Sequence, residues 1–106
     1  MPKDFKSYYA VIFTSIQRDT IEGYSEMAHK MEELAKQQPG YLGMESARND
    51  IGITVSYWED LEAIKNWKLK SEHLKAQQKG KSDWYDWYHV RICKVEREYE
   101  FNYSSI

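Results

Sequence analysis

The sequence predicts an α+β domain of the ferredoxin-like kind: four antiparallel strands in one sheet, both helices on one face, in the order βαββαβ. Three observations lead there. Short runs rich in β-branched and aromatic residues occur four times, two longer stretches carry apolar residues at helical spacing, and Pro39-Gly40 and Asn49-Asp50 separate them as turns. The 106 residues fit one domain spanning 1–106, with 1–6 and 103–106 expected as loose ends.

Tyr8 to Ile16 (YYAVIFTSI) holds no Pro or Gly and is too short for a typical helix, so it reads as a central strand. From Thr20 the period changes. Ile21, Tyr24, Ala28, Met31 and Ala35 recur at helical spacing, with Asp19 or Thr20 as the N-cap and the end before Pro39-Gly40. His29 lies off this stripe and is expected in solvent. Leu42, Met44 and Ser46 alternate against Tyr41, Gly43, Glu45 and Ala47 as a second strand, and Ile53, Val55 and Tyr57 return as its hairpin partner. Glu59-Asp60 suits a helix start, because carboxylates there accept from unpaired N–H groups and match the helix dipole; Leu61, Ile64, Trp67 and Leu74 follow as its buried stripe. Trp84 to Tyr88 fits either a short helix or a strand entry. In the tail Tyr88, Val90 and Ile92 alternate on even positions and Val95, Arg97, Tyr99 and Phe101 on odd ones, which predicts a long last strand with a bulge near Cys93-Lys94.

Helices on one face leave the other face of the sheet bare. A small domain cannot hide that surface within itself, so a homodimer joined through strand residues, including part of Val95 to Phe101, is expected. The net charge of −2 shows no basic excess for reading phosphate backbones, so no nucleic-acid partner is expected. Lys65, Lys68, Lys70, Lys75, Lys79 and Lys81 form a local basic stretch, read as a solvated helix face or as steering for an anionic ligand. Cys93 is the single cysteine, with no zinc-type Cys/His spacing, so no metal site is expected and the chain reads as cytoplasmic. No apolar run approaches a membrane span. Nucleotide-loop, zinc-hydrolase and serine-hydrolase motifs are absent.

All four tryptophans, Trp58, Trp67, Trp84 and Trp87, fall between Tyr57 and Arg91, with Tyr85, Tyr88, His73 and His89 among them. Each ring alone is explained by core filling. Together, beside a titratable imidazole and a guanidinium, they can also line a slot for a small aromatic ligand. Met27, Met31 and Met44 read as packing.

The segment Pro39-Gly40-Tyr41-Leu42-Gly43-Met44-Glu45-Ser46, then Ile53-Thr54-Val55-Ser56-Tyr57-Trp58, then Trp67-Lys68 with His73 downstream, resembles the antibiotic biosynthesis monooxygenase (ABM) domain family. The resemblance covers nearly the whole chain. It implies a dimeric α+β barrel with a pocket in each subunit between sheet and helices, and two chemistries. One branch oxidises phenols or quinols with O2 and without metal, flavin or other cofactor; the other binds and opens haem. Haem degraders pair an Asn on the first strand with a helix Trp and a His about ten residues beyond it. Here Trp67 matches the Trp, Gln77 stands at the later position, and no Asn lies between Tyr8 and Ile16.

The resulting expectation is a cofactor-independent monooxygenase acting on an aromatic hydroxy compound or quinol, with haem binding or haem degradation and a non-catalytic small-molecule-binding dimer as alternatives. Trp58, Trp67, Trp84, Trp87 and Tyr88 would bind the substrate. His73 would serve as general base, since an imidazole titrates near neutrality. Trp67 and His73 are about 600° apart on a regular helix, so a break near Lys70-Ser71 is needed for both to meet one ligand. Arg91 is either an anion clamp in the pocket or, if the even positions of its strand face the helices, a partner for an acid across the dimer seam. Glu45 has the same two readings, with pairing to Arg91 the simpler one.

Overall fold

The computed structural model describes residues 5–19, 21–77 and 84–103, of which 75–77 by backbone alone. The expectations placed on Thr20, Lys79, Gly80, Lys81 and the outermost chain ends lie outside these residues. The order is β1 (Tyr8–Gln17), α1 (Tyr24–Lys36), β2 (Tyr41–Arg48), β3 (Gly52–Trp58), α2 (Leu61–Gln77) and β4 (Tyr85–Val95). The sheet runs β2-β3-β1-β4 with every neighbour antiparallel, which is the ferredoxin-like α+β fold.

The register decides which residues share a face. Tyr9 pairs with Trp58, Val11 with Ser56 and Ser15 with Gly52, so odd positions of β1 and even positions of β3 lie together. That face carries the core: Trp58 is fully buried with Ala35 of α1 and Ala63 and Ile64 of α2, and Tyr9, Val11, Tyr41, Met44 and Trp67 pack around it. Val11 and Phe13 pair with Ile92 and Val90, so the even positions of β4 also face the helices.

Asp60 starts α2 as expected, its carboxylate accepting the Ala63 N–H at 2.8 Å. Before it, Gly40 adopts φ +86°, a left-handed conformation that a side chain would oppose, and its carbonyl accepts the Glu59 N–H at 2.8 Å. The start of α2 is thereby tied to the turn that leads into β2.

Five local expectations are corrected. α1 begins at Tyr24 rather than near Thr20, behind Gly23 at φ 85° and with no side-chain cap; Ile21 stays exposed. α2 runs unbroken through Lys70 and Ser71; the Ser71 hydroxyl donates to the Lys68 carbonyl at 3.0 Å and the helix continues past it. The irregularity of β4 lies near its start: Ile16 pairs with Trp87 and Gln17 with Tyr85, leaving Asp86 as the extra residue, while Cys93 and Lys94 pair regularly with Ala10 and Tyr9. β4 ends at Val95, so the odd-position pattern beyond it does not continue the strand. On β2, Tyr41 and Gly43 face consecutive residues of β3, which makes Leu42 the extra residue there and puts Tyr41, not Leu42, on the face of Met44.

Candidate active-site cleft

The helices pack against β2 and β3 and leave the β1-β4 half of the same face less covered among the described residues. The edge of that uncovered half is a cavity of about 150 Å³, lined by Tyr24, Met27, Ala28 and Met31 from α1 and by Trp84, Tyr85 and Tyr88. The four α1 residues stand at helical i, i+3, i+4 and i+7 positions, one stripe facing the sheet. The sequence stripe put Tyr24, Ala28 and Met31 there as core; the structure makes them a cleft wall.

Each ring is fixed. The Trp84 indole N–H donates to the Glu22 carbonyl at 2.9 Å, and the Arg18 N–H donates to the Trp84 carbonyl at 2.7 Å. The bulge at Asp86 lets Tyr85 and Tyr88, three apart in sequence, share one face, where each contacts Phe13: Tyr88 stacked at 5.2 Å and Tyr85 edge-on at 5.4 Å between ring centres. Tyr24 stands edge-on to Trp84 and Tyr85 at 5.9 and 5.8 Å. These are favourable quadrupole geometries and hold the wall in shape without a ligand.

The polar part of the cleft is a hydroxyl pair. Tyr85 Oη donates to Tyr24 Oη at 3.3 Å. Burial, and next that hydrogen bond, hold the Tyr85 phenol well above the ordinary tyrosine value, with the positive charge of Arg48 opposing part of the rise. Arg48 reaches this region across the helix-side face of the sheet, over Gly52. Across the four strands Arg48, Gly52, Ser15 and Tyr88 stand in one row. Gly52 has no side chain, so the guanidinium lies over it and its Nη2 donates to the fully buried Ser15 Oγ at 2.5 Å; its carbon sits 5.9 Å from the Tyr24 ring centre.

The expected site residues are distributed over the molecule. Trp84 and Tyr88 line the cleft. Trp58 is in the core, with Trp67 stacked on it at 5.7 Å and 23°. His73 is exposed on α2, outside the cleft lining. Trp87, His89 and Arg91 pair with Ile16, Thr14 and Ile12, which places all three on the sheet face opposite the helices, Trp87 edge-on to His89 at 6.1 Å. Glu45 is on that face too and accepts the Tyr57 hydroxyl at 2.6 Å in place of the expected pairing with Arg91. His29 is exposed, as expected. Arg48 was not singled out by sequence; the usable signal was an Arg and a Gly flanking the hairpin turn, where the missing side chain leaves room for the long one.

On the same open face the Tyr8 hydroxyl bonds the Glu98 carboxylate, which raises the Tyr8 phenol to about 12; burial adds to the rise. Tyr57 is raised in the same way by Glu45. A phenol whose folded pKa exceeds its unfolded value gives stability that is complete below the unfolded value near 10 and is lost as pH climbs through the folded one. The melting temperature is therefore expected to hold up to about pH 9 and to fall between about pH 10 and 12. Tyr85→Phe should lessen that fall; an unchanged alkaline profile would argue against a Tyr85 phenol held above the ordinary value.

Comparison with known proteins gives consistent likenesses. Residues 7–79 match the family described as antibiotic biosynthesis monooxygenase. The uncharacterized protein YqjZ of Bacillus subtilis (strain 168) is 49% identical over 100 residues, covering 92% of this chain and 88% of that protein. Among solved structures, SnoaB, a cofactor-independent oxygenase from Streptomyces nogalater, superposes with TM-score 0.61 at 9% identity over 91% of this chain and 97% of SnoaB. A variant of MhuD with two manganese protoporphyrin IX bound per active site superposes with TM-score 0.65 at 17% identity, over 88% and 99% of the two chains.

Proposed function

Because this chain belongs to the antibiotic biosynthesis monooxygenase family, we propose that it is a monooxygenase that oxidises a small aromatic hydroxy compound or quinol in the α1-β4 cleft without a cofactor. The observation that carries the reading is the cleft itself: an aromatic and thioether wall around about 150 Å³, with the paired Tyr24 and Tyr85 hydroxyls set into it. A cavity of about that size accommodates one benzene ring. Larger ring systems would extend along β4 over Val90 and Ile92, which are exposed on the same face.

In such a reaction the substrate supplies the electrons. Loss of a phenolic or benzylic proton gives an electron-rich anion that combines with O2; one oxygen atom stays on the ring carbon, the other leaves as water, and two ring-system hydrogens leave with it. The protein has to exclude water, hold the ring and steady the developing anion, for which preorganised hydroxyl donors are suited. O2 consumption with a one-ring hydroquinone is the direct assay. Met31→Trp, which fills the cleft, is expected to lower turnover at least tenfold with little change in melting temperature. Retained turnover in that variant would place the reaction elsewhere. His73→Ala is expected to keep turnover within about twofold, because the imidazole lies outside the cleft lining; a loss of about 10² or more would assign the base to His73.

Haem fits this cleft poorly. A tetrapyrrole is several times the size of a ring-sized cavity, the lining offers no imidazole or thiolate, and the firmly protonated Tyr85 is a weak candidate for axial ligation. No saturable Soret shift is expected on titration with haem.

We further propose that the working form is a homodimer. Ile16, Ile53 and Trp87 lie exposed on the open sheet face, and beyond β4 the side chains of Tyr99, Phe101 and Tyr103 are 91%, 78% and 80% exposed. The radius of gyration, 15.7 Å, exceeds the roughly 13 Å of a compact chain this long, as a projecting arm produces. A second copy covers both surfaces at once. Sedimentation should show a dimer at micromolar protein, and truncation after Glu98 should shift it toward monomer; a full-length monomer at all concentrations would overturn this. No described helix is long and apolar enough to cross a membrane.

A further inference from the structure

Resting on the cleft reading above, we infer that Arg48 is an anion-recognition residue and that the cleft selects aromatic ligands bearing an ionised oxygen, a phenolate or a carboxylate. Three independent features of the structure converge on this.

The first is an unbalanced charge. Arg18 pairs with Asp86, and Lys36 with Glu32 and Glu33, whereas no carboxylate among the described residues pairs with Arg48. The second is a seat. A Cβ at Gly52 would lie 2.1 Å from Cζ and from Nη2 of Arg48, so the guanidinium occupies the very space a side chain would take. It is anchored there by the hydroxyl of Ser15, a polar residue with no exposed surface, and laid against the Tyr24 ring. Arg48 is an exposed residue, and these two contacts set its guanidinium over Gly52 and beside the Tyr24 ring. Ser15 uses one donor of the planar fork, and the remaining N–H groups are left for a partner.

The third is position. Ser15, which holds the guanidinium, stands beside Tyr88 in the cross-strand row, and Tyr88 is cleft wall. Tyr24 links the two sites, its ring centre 5.9 Å from the Arg48 guanidinium carbon and its hydroxyl accepting from Tyr85. The charge of Arg48 also acts on the Tyr85 phenol in the direction of ionisation. A ligand ring between α1 and Tyr88 with its oxygen toward Tyr85 would bring that oxygen into the field of the guanidinium. For a phenolic substrate the same contact favours the anion that reacts with O2, so recognition and activation draw on one residue.

Gly52→Ala isolates the claim, because it keeps the charge and the hairpin while displacing the guanidinium from its seat. Gly52 has no positive φ and the displaced group is the end of a flexible chain, so the variant should melt near the parent. The probes are 4-nitrophenol, whose ionisation is visible by absorbance, and the pair benzoate and benzamide, followed by tryptophan fluorescence. In the parent, bound 4-nitrophenol should ionise at lower pH than when free, and benzoate should bind at least about tenfold tighter than benzamide. Both effects should shrink about tenfold in Gly52→Ala and in Arg48→Gln. An effect seen with only one probe class names the oxygen that is recognised and still supports the assignment. Equal binding of benzoate and benzamide with no shift for 4-nitrophenol, or shifts that survive in both variants, would overturn it. If neutral and charged probes bind the parent equally well and lose binding in Met31→Trp, the cleft stands although Arg48 does not select; if no probe binds the parent, cleft and selection fall together.

Discussion

Trp58→Ala is expected to cost about 3–5 kcal/mol, enough to unfold much of the population of a domain whose total stability is of order 5–15 kcal/mol. The side chain has no exposed surface, stacks on Trp67 at 5.7 Å and meets Tyr41 edge-on at 5.6 Å. It also joins the two helices to the sheet, since Ala35, Ala63 and Ile64 all close on it. Truncation leaves a large void between layers that cannot collapse without moving a helix. A second loss compounds the first. The indole N–H donates to Ser56 Oγ at 2.9 Å, and Ser56 is itself buried, so removing the ring strands a hydroxyl in the core. Urea unfolding should show a much lower midpoint with little change in slope. Leu69→Ala is the control: that side chain is 61% exposed on α2, on the side of the sheet away from the proposed dimer face, and its loss should lower the midpoint far less. Similar losses at the two positions would mean that the core is not organised around Trp58.

Gly40→Ala should be nearly as damaging for a single methyl group. At φ +86° an L-residue costs about 1–2 kcal/mol, and the new Cβ would lie 2.6 Å from Ala63 Cβ at the first turn of α2, an overlap that costs about 1–3 kcal/mol more. The turn cannot move aside freely, because its carbonyl holds the Glu59 N–H at the helix start. The melting temperature is expected to fall by at least about 8 °C, given about 4–8 °C per kcal/mol in a domain of this size. Gly43→Ala is the contrast, since Tyr57 Cδ2 at 4.0 Å is the nearest atom to its Cβ and no positive φ is involved; it should change stability by less than about 1 kcal/mol. A Gly40 variant that melts like the parent would show that α2 can shift outward at no cost.

The order of elements was legible because periods of two and of about 3.6 separate cleanly along this chain, and Pro39-Gly40 and Asn49-Asp50 mark the turns where they change. The faces were legible only where alternation was unbroken, as at Tyr88, Val90 and Ile92. Asp86 and Leu42 disturb that alternation, and a single extra residue shows itself only when a partner strand is present to count against. The apparent change of face at Cys93-Lys94 came from reading beyond Val95, where alternation persists in the letters although no pairing does. Of the candidate site, Trp84 and Tyr88 were visible as aromatic residues in one window, but nothing local distinguishes them from Trp58, which the register sends to the core, or from Trp87, which it sends to the other face. The direction in which His73 points depended on whether α2 breaks at Lys70-Ser71, and it does not. Arg48 needed the pairing with Gly52 and Ser15, which spans three strands and has no sequence signature of its own.

The two extra residues, Leu42 and Asp86, both fall in edge strands, one on β2 and one on β4. An edge strand offers unpaired N–H and C=O groups along its length and invites another strand to zip on, then another, without limit; a bulge spoils the straight run that such zipping needs. A chain that leaves an apolar sheet face uncovered would otherwise be at double risk, sticking by its face and growing by its rims. With both rims interrupted, the ribbon-like lateral growth that leads to fibres has no clean place to begin, as the proposed homodimer requires.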